Sequence, residues 1–420
     1  MMRRTFLAIF IMSMLVIVVG CSSADKKEEV HFLNGKIESV EYMDELIKVF
    51  NENNSKYEVV QEFQKDASNV LQTKLASGDV PDITSTDISQ DYIDEGLFEN
   101  LSDQNIWENI NPTIKELVTD PKSGNQYKIA TLESMAGVFY NKDLAPDGLP
   151  YDSWDNFITS LEKIKNENNV EGLVLGGKDS WTLGQLMELW GHGIFKQEYS
   201  IPQSKEILVE NNQEVLKFDK PEGPINIFAT RFTELDEKKL INENAVTASY
   251  EDQVKTFAEG KAVAMPQGLW GYNEVLKVNP DLNIGFIPFP PMIDGGNAVM
   301  LLGEDSTYSI PSDANVKEGA LEFLKFILEK ENLKEYSEFM SAPSAFTDVD
   351  AKWAANPDDF TEAKESSAHV GFTVFPSGFS GDESGRYVQA FLSGQYKSTE
   401  EFAKIYAEAW NTAWNNANNK

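Results

Sequence analysis

The sequence is poor in the residues that build most metal, redox and nucleophile sites. Its 420 residues include one cysteine, Cys21, and three histidines, His31, His192 and His369, which lie far apart. It has no His-x-x-His or Cys-x-x-Cys spacing, no Gly-x-Ser-x-Gly motif and no phosphate-binding loop. The sequence therefore predicts no metal site, no cofactor and no covalent catalysis, and the chain after Cys21 has no thiol for a disulfide.

Positive charge is also scarce. The chain has 36 Lys and Arg against 68 Asp and Glu, and two of the arginines lie in the first four residues. Without that N-terminal segment, 34 basic and 68 acidic side chains remain, a formal charge of −34. Such a charge repels nucleic acids and polyanionic ligands, so we expect no nucleic-acid partner. We interpret the acidic excess as a well-solvated extracellular surface rather than as an acidic active patch.

Only the N-terminus carries a long apolar run. Two arginines precede an uncharged segment, 6–19, which is short for a membrane span and has the layout of a signal peptide. The following Gly20-Cys21 pair resembles a bacterial lipobox, in which cleavage precedes the cysteine and its sulfur carries a lipid. We predict a lipoprotein signal peptide at 1–20, a lipid anchor on Cys21 and a flexible tether at 21–29. The alternative is an ordinary signal peptide with an incidental cysteine.

The chain after the tether begins with a β-α-β-α-β order. Apolar, β-branched stretches alternate with amphipathic helical patterns, and the first helix follows a potential cap at Ser39. This order predicts a parallel sheet with helices on both faces. The predicted elements are strands at 30–33, 57–63 and 82–85 and helices at 40–50 and 68–77.

Polar residues follow each of these predicted strands. Asn34-Gly35 follows the first strand, 64–66 the second and Asp87 the third. Because ligands bind such sheets at the carboxyl ends of the strands, we expect these residues on one rim of a binding site.

A hinge is predicted in the middle of the chain. The stretch 127–140 is extended in character and carries one charge, Glu133, at its centre. A polar turn and a Pro- and Gly-rich segment follow it, and Ser153 can cap a helix beginning at Trp154. We interpret the strand as a crossing between two lobes, and the proline-rich stretch 288–302 as a second crossing.

Tryptophans in two settings suggest the ligand class. Trp181 and Trp270 come directly after glycine-containing turns, whereas Trp190, Trp410 and Trp414 lie in helical core patterns. A sugar stacks its C–H face on an aromatic ring and bonds its hydroxyls to carboxylate or amide groups. Aromatic and polar residues together at strand ends therefore suit a neutral carbohydrate.

Five motifs resemble the type 1 extracellular solute-binding proteins, the receptors of carbohydrate ABC importers, of which the maltose-binding proteins are the best known. They occur in a consistent order from about residue 30 to the C-terminal helix. They are KLASGDVPDI at 74–83, the spacing between 81–83 and 95–97, YNKDL at 140–144 with SWDNF at 153–157, FAEGKAVAMPQGLW at 257–270 and EGALEFLKFI at 318–327.

The resemblance implies an α/β fold of the periplasmic-binding-protein type II, with two α/β lobes joined by a hinge and a ligand cleft between them. The implied N-terminal lobe is 30–130 plus about 292–345, and the C-terminal lobe is 131–291 plus about 346–420. It implies a receptor and not an enzyme: a monomer, lipid-anchored on the extracellular face of the bacterial cell membrane, that captures a sugar or oligosaccharide and delivers it to a membrane permease.

The resemblance also implies the site residues. Asn34 falls where the first strand ends at the cleft, Asp87 matches an acid that bonds sugar hydroxyls, and Glu133 matches a hinge carboxylate in the cleft. Trp181 matches a stacking aromatic on the second lobe, and Trp270 matches the Trp of a G-x-W turn. The predicted ligand-binding set is Asn34, Asp87, Glu133, Trp181, Trp270 and Tyr272.

Departures from the maltose binders concern the aromatic residues. Ser85 and Thr86 stand where an aromatic side chain often precedes the acid. A further aromatic wall matches Phe375, Phe379 or Tyr387. These differences argue against maltose itself and keep the sugar class. Two alternatives stay open: a binding protein for a polyamine or peptide, and a secreted glycoside hydrolase, which needs only two carboxylates.

Overall fold

The computed structural model describes residues 26–354 and 356–418. Its strands form two sheets, one of three strands and one of six. The strands are β1 (Glu28–Asn34), β2 (Tyr57–Phe63), β3 (Ile83–Thr84), β4 (Ile129–Asn141), β5 (Glu171–Leu173), β6 (Ala262–Gly268), β7 (Ile284–Ile287), β8 (Val299–Tyr308) and β9 (Ala368–Val370).

Helices cover both sheets. A 3₁₀ turn spans Ile37–Ser39, and a π-helix spans Met187–Gly191. The α-helices are α1 (Val40–Asn53), α2 (Ala67–Ser77), α3 (Gln90–Asp94), α4 (Pro112–Leu117), α5 (Trp154–Asn168), α6 (Ser180–Leu186), α7 (Gly193–Lys196), α8 (Ile201–Val209), α9 (Gln213–Leu216), α10 (Pro224–Glu237), α11 (Tyr250–Ala258), α12 (Leu269–Val278), α13 (Lys317–Ile327), α14 (Lys330–Met340), α15 (Pro357–Glu365), α16 (Gly381–Leu392) and α17 (Thr399–Asn418).

The first sheet confirms the predicted parallel β-α-β-α-β order. Its strand order is β2-β1-β3, and β1 pairs in parallel with both neighbours. Strand β1 begins two residues before its predicted start, because Glu28 and Glu29 of the predicted tether already pair with β2. The predicted cap at Ser39 is wrong: the Ser39 side chain makes no cap bond, and its Oγ donates to the Lys36 carbonyl at 2.9 Å.

Two long antiparallel strands connect the sheets. All 13 residues of β4 are buried; its N-terminal half pairs with β8 and its C-terminal half with β6 and β7. Ser309, just after β8, forms a bridge to Thr84 of the first sheet. The other end of β8 pairs with β9 in the six-stranded sheet. The β4–β8 ribbon therefore runs from one sheet to the other.

The later helices return to both sheets. In α13, the Phe323 ring packs 5.9 Å from Phe32 of β1, and the chain thus returns to the first sheet after β8. In α17, Trp410 packs edge-on against Phe218 at 5.2 Å in the core of the second sheet. Over residues 26–354 and 356–418, every helix is too short or too polar to span a bilayer.

Candidate functional site

A cleft of about 520 Å³ lies beyond the carboxyl ends of the first sheet's strands. The crossing strands β4 and β8 form its floor, and residues of α6 and α12 face the first sheet across it. The position agrees with the rule that ligands bind beyond the carboxyl ends of parallel strands. Its lining is 35–38, 65–68, 85–87, Ser134, Trp181, Gln185, Trp270, 304–307 and Phe372.

Asn34 lies behind this lining. Its side chain is fully buried; Nδ2 donates to Gln61 Oε1 at 2.7 Å and to Ser39 Oγ at 3.1 Å. Its Oδ1 accepts from the Lys36 backbone N–H and from Ser85 Oγ. These bonds occupy the amide, so in this conformation Asn34 organises the cleft rim rather than presenting its side chain to a ligand.

Charged pairs line the floor of the cleft. Lys36 Nζ lies 2.5 Å from Asp305 Oδ1, with less than a fifth of each side chain exposed. Burial works to lower the pKa of Lys36, but the charge of Asp305, the hydrogen bond to it and the nearby Tyr336 and Glu38 together outweigh burial, so the pKa lies above its ordinary value. Glu304 is similarly held by Lys128 at 3.0 Å. The Lys36–Asp305 pair joins the first sheet's rim to β8, and the Lys128–Glu304 pair joins the start of β4 to β8.

Asp87 lies on the first wall and is exposed to the cleft. Its Oδ1 accepts a hydrogen bond from Thr307 Oγ1 at 3.2 Å. The other oxygen and the remaining lone pairs can accept from sugar hydroxyls, since a carboxylate has about four acceptor positions. The adjacent Thr86 hydroxyl is buried and has no hydrogen-bond partner among the described residues.

Trp270 lies on the second wall, on a helix rather than in the predicted tight turn. The strand β6 ends at Gly268 and α12 begins at Leu269, so the turn prediction is wrong. The half-buried indole donates from Nε1 to Gln267 Oε1 at 2.8 Å. Gln267 is itself held by Gln253, whose amide donates to the Val174 carbonyl. This chain of bonds fixes the orientation of the indole.

Trp181 lies in the first turn of α6, on the same wall. Its ring packs 5.0 Å from Tyr250, whose buried hydroxyl has no hydrogen-bond partner among the described residues. Burial, and then the negative charge of Glu38 on the opposite wall, raises the pKa of Tyr250, so this hydroxyl is a neutral donor. Tyr250 was not predicted from the sequence as a site residue.

Close helix packing positions α6. A methyl group on Gly184 would come within 1.9 Å of the Gly381 carbonyl, and one on Gly385 within 1.8 Å of the Ser180 carbonyl. Only glycine at both positions permits α6 and α16 to approach this closely. Gly184 and Gly385 are the residues of the sequence that permit this contact. Their role could not be predicted, because the sequence does not show which two helices pack together.

Glu133 is bound away from the cleft lining. Its carboxylate accepts from Asn111 Nδ2 at 2.5 Å and forms an ion pair with Lys364 of α15 at 3.1 Å. Neither partner lines the cleft. The Glu133 side chain is 7% exposed, whereas that of Lys364 is 33% exposed. Glu133 therefore joins the segment before α4 to α15 across the crossing strand.

Tyr272 lies on α12 with its side chain in the hydrophobic core. It is 3% exposed, its ring stacks on Phe139 at 5.8 Å, and it meets Phe360 edge-on at 5.7 Å. In this conformation it supports α12 and does not line the cleft.

The structure places two large apolar residues in the cleft, Ile37 and Phe372, that were not predicted from the sequence. Phe372 lines the second wall, while Phe379 and Tyr387 line a separate groove beside α17. Ile37 lines the first wall and is 62% exposed. In the sequence, Ile37 is distinguished only as a large apolar residue shortly after a predicted strand.

The cleft combines three aromatic rings on one wall with carboxylates and hydroxyls on the other. Within residues 26–354 and 356–418, no group of His, Cys, Asp and Glu is arranged to hold a metal ion. The arrangement can stack an apolar face and hydrogen-bond hydroxyls from the opposite side. Cys21, the predicted lipidation site, lies outside the described residues.

A comparison with protein families matches residues 45–365 to the family described as bacterial extracellular solute-binding protein. The "Multiple sugar-binding protein" of Streptococcus mutans is 25% identical over 342 residues, 78% of this chain and 77% of that protein. The "Melibiose/raffinose/stachyose-binding protein MelE" of Bacillus subtilis is 24% identical over 363 residues, 83% of each chain.

Solved structures show the same architecture. A sugar transporter from Bacillus licheniformis, determined in complex with stachyose, matches with a TM-score of 0.75 and 20% identity. The match covers 92% of this chain and all of the other. The predicted two-lobed fold of the periplasmic-binding-protein type II is thereby confirmed.

Proposed function

We propose, from the premise that this chain belongs to the bacterial extracellular solute-binding proteins, that it captures an uncharged oligosaccharide and delivers it to an ABC importer. The observation that carries the proposal is the division of the cleft into an aromatic wall and a carboxylate- and hydroxyl-rich wall. A pyranose ring has the matching pair of surfaces, an apolar face and a rim of hydroxyls.

The walls belong to different lobes, and this division supports capture by closure. Ligand contacts with both lobes are complete only when the lobes approach, so the ligand favours the closed state through that difference in contacts. The proposed lobes are 30–130 with about 292–345 and 131–291 with about 346–420. The return of α13 to the first sheet and of α17 to the second supports this division.

The charge of the cleft supports an uncharged ligand. Five carboxylates line it, those of Glu38, Asp66, Asp87, Glu304 and Asp305, against the two ammonium groups of Lys36 and Lys65. Lys36 is already paired with Asp305. A phosphate or uronate would meet net repulsion there, whereas hydroxyl groups find acceptors.

The proposed ligand class follows the relatives. One relative is named for melibiose, raffinose and stachyose, and the Bacillus licheniformis structure holds stachyose. Raffinose and stachyose are therefore the first ligands to test. We further propose that the mature chain is a monomer anchored through a lipid on Cys21 at the outer face of the cell membrane. The Gly20-Cys21 pair after an apolar segment supports that anchor.

Thermal melting of the purified protein against a sugar panel tests the proposal. A ligand at 100 times its dissociation constant stabilises by about 2.7 kcal/mol, a shift of several degrees. The panel contains raffinose, stachyose, xylo- and chitin oligosaccharides, a polyamine and a peptide. A shift with a sugar that is then recovered intact supports a receptor. A shift with the polyamine or peptide alone contradicts the sugar class, and cleavage of the sugar contradicts the absence of catalysis.

A further inference from the structure

Buried polar side chains lie behind the part of the cleft wall that carries Phe372. Glu188 and Lys196 are 7% and 1% exposed, and His192 between them is fully buried. Glu188 lies in the π-helix Met187–Gly191, a rare geometry that often marks functional positions. Buried charges cost free energy unless they are paired and hydrogen-bonded, and an apolar core would be at least as stable. The residues that these side chains bind are therefore of more interest than their net contribution to stability.

The bonds of these side chains converge on the two residues that flank Phe372. Lys196 Nζ donates to the Gly371 carbonyl at 2.9 Å and to Thr373 Oγ1 at 2.8 Å. The Thr373 backbone N–H donates to Glu188 Oε1. Lys196 also donates to the Glu188 carbonyl at 3.2 Å. The backbone on both sides of Phe372 is therefore held from behind.

The network extends further into the core through the hydroxyl of Thr373. His192 Nδ1 lies 3.1 Å from Thr373 Oγ1, and its Nε2 lies 3.3 Å from the Tyr406 hydroxyl. Tyr406 in turn meets Ser384 Oγ at 3.0 Å. The buried groups thus have partners on each side, and the network links the cleft wall to α16 and α17.

Secondary structure does not fix the Phe372 segment. The strand β9 ends at Val370 and α16 begins at Gly381, and the described residues between them form neither helix nor strand. The Phe372 ring nevertheless has a defined place, over Gly303 of β8, where a methyl group would come within 3.0 Å of the ring. The polar network supplies the Phe372 segment with hydrogen bonds that a β-sheet or an α-helix would otherwise supply.

We propose that Glu188, Lys196 and Thr373 are positioning residues that hold the Phe372 ring in the cleft wall and so raise the affinity for a sugar stacked on it. This inference rests on the proposed function. A segment that had to be ordered on binding would subtract its ordering cost from the binding free energy. Holding the segment in place before the ligand arrives removes that cost.

A matched pair at Thr373 tests the inference. Thr373→Val removes the hydroxyl that Lys196 and His192 contact and keeps a branched side chain, whereas Thr373→Ser keeps the hydroxyl. In full-length protein purified in mild detergent, we expect Thr373→Val and Lys196→Met to weaken raffinose binding by about five- to tenfold. Thr373→Ser should stay within about twofold of the wild type. If raffinose does not bind, the sugar of the panel that shifts the melting temperature replaces it.

A double-mutant cycle separates positioning from general damage to the fold. In a Phe372→Ala background there is no ring to position, so Lys196→Met and Thr373→Val should each change the affinity by less than about twofold. Additive losses in the cycle, or unchanged affinity in both single variants, would overturn the inference. If Lys196→Met does not fold, Thr373→Val carries the test, because it only replaces one hydroxyl with a methyl group.

A readout without ligand distinguishes this inference from the proposed function. Incorporation of 4-fluorophenylalanine gives a fluorine resonance for Phe372, assigned by its loss in Phe372→Leu. We expect that resonance to shift or broaden in Thr373→Val and Lys196→Met and to stay in place in Thr373→Ser. If no sugar binds the wild type, the proposed function fails, while this spectrum still decides the positioning role. An unchanged resonance in both disrupting variants would overturn it.

Discussion

The indole of Trp270 lies directly over Gly268. A methyl group on Gly268 would come within 2.0 Å of Trp270 Cη2 and within 2.2 Å of Cζ3. The backbone of Gly268 is extended, with φ −90°, so an alanine there is not strained in itself. The absence of a side chain at Gly268 therefore leaves room for the indole of Trp270, which lines the cleft.

Gly268→Ala should displace the indole and weaken sugar binding by more than about fivefold, or 1 kcal/mol, as Trp270→Ala should. Isothermal titration with the sugar identified by melting measures the effect. Gly381→Ala is the matched control, because its new methyl group would lie 3.8 Å from its nearest neighbour. Unchanged affinity in folded Gly268→Ala would show that the ligand does not touch this ring.

Trp181→Ala should also weaken binding by more than about 1 kcal/mol while the protein stays folded, because a cleft-lining ring would be lost from the stacking surface. Titration and circular dichroism report the two quantities. Trp414→Ala is a suitable control, since Trp414 is half-buried on α17 and its Nε1 donates to the Val209 carbonyl, away from the cleft. Equal affinity of both variants and the wild type would remove Trp181 from the site.

Ile37→Ser should leave stability within about 0.5 kcal/mol, because the side chain is already 62% exposed. It should weaken binding by about two- to fivefold, since a bound sugar would cover this apolar surface. Val209→Ser provides a control of similar exposure, 55%, on α8. A loss of stability without a loss of affinity would identify Ile37 as part of the fold only.

Glu133→Gln should lower the free energy of unfolding by about 1 to 2 kcal/mol, because Lys364 would lose its charged partner in a partly buried site. Affinity should change by less than about twofold, since the carboxylate is bound by Asn111 and Lys364 outside the cleft lining. Denaturant unfolding and titration measure the two effects. A large loss of affinity at unchanged stability would instead place Glu133 among the ligand contacts.

Burial of the His192 side chain should lower the free energy of unfolding of the protein in mild acid. Burial, and then the charge of Lys196, lowers the pKa of His192 well below its ordinary value. Below about pH 6.5 the unfolded chain binds a proton that the folded chain does not, so stability falls by up to about 1.4 kcal/mol per pH unit. In His192→Gln this contribution should be absent between pH 6.5 and 5, as measured by urea unfolding. The raised pKa of Glu188 has the opposite effect, because it favours the folded state as the pH falls. This contribution is present in both the wild type and His192→Gln, so it cancels when the two proteins are compared.

Local patterns predicted the first sheet, the crossing strand and the helix that follows it. Apolar residues at helical spacing predicted α1, and Ser153 caps the predicted helix α5 as expected, accepting from the Asn156 N–H. The predicted crossing strand is β4. By contrast, 348–385 had no clear period, and the structure forms α15 and β9 there through contacts with distant strands, β7 and β8.

The alternation of strands and helices, the crossing strand and the class of side chains that follow the strands could be predicted from the amino-acid sequence. Each depends on spacing along the chain. Which of these side chains reach the cleft depends on the folded arrangement: Asp87, Trp181 and Trp270 line it, whereas Asn34, Glu133 and Tyr272 are held behind it. The direction of a side chain depends on the partners that distant segments bring to it. Lys364 reaches Glu133 across 231 positions of sequence, and no local pattern specifies such a contact.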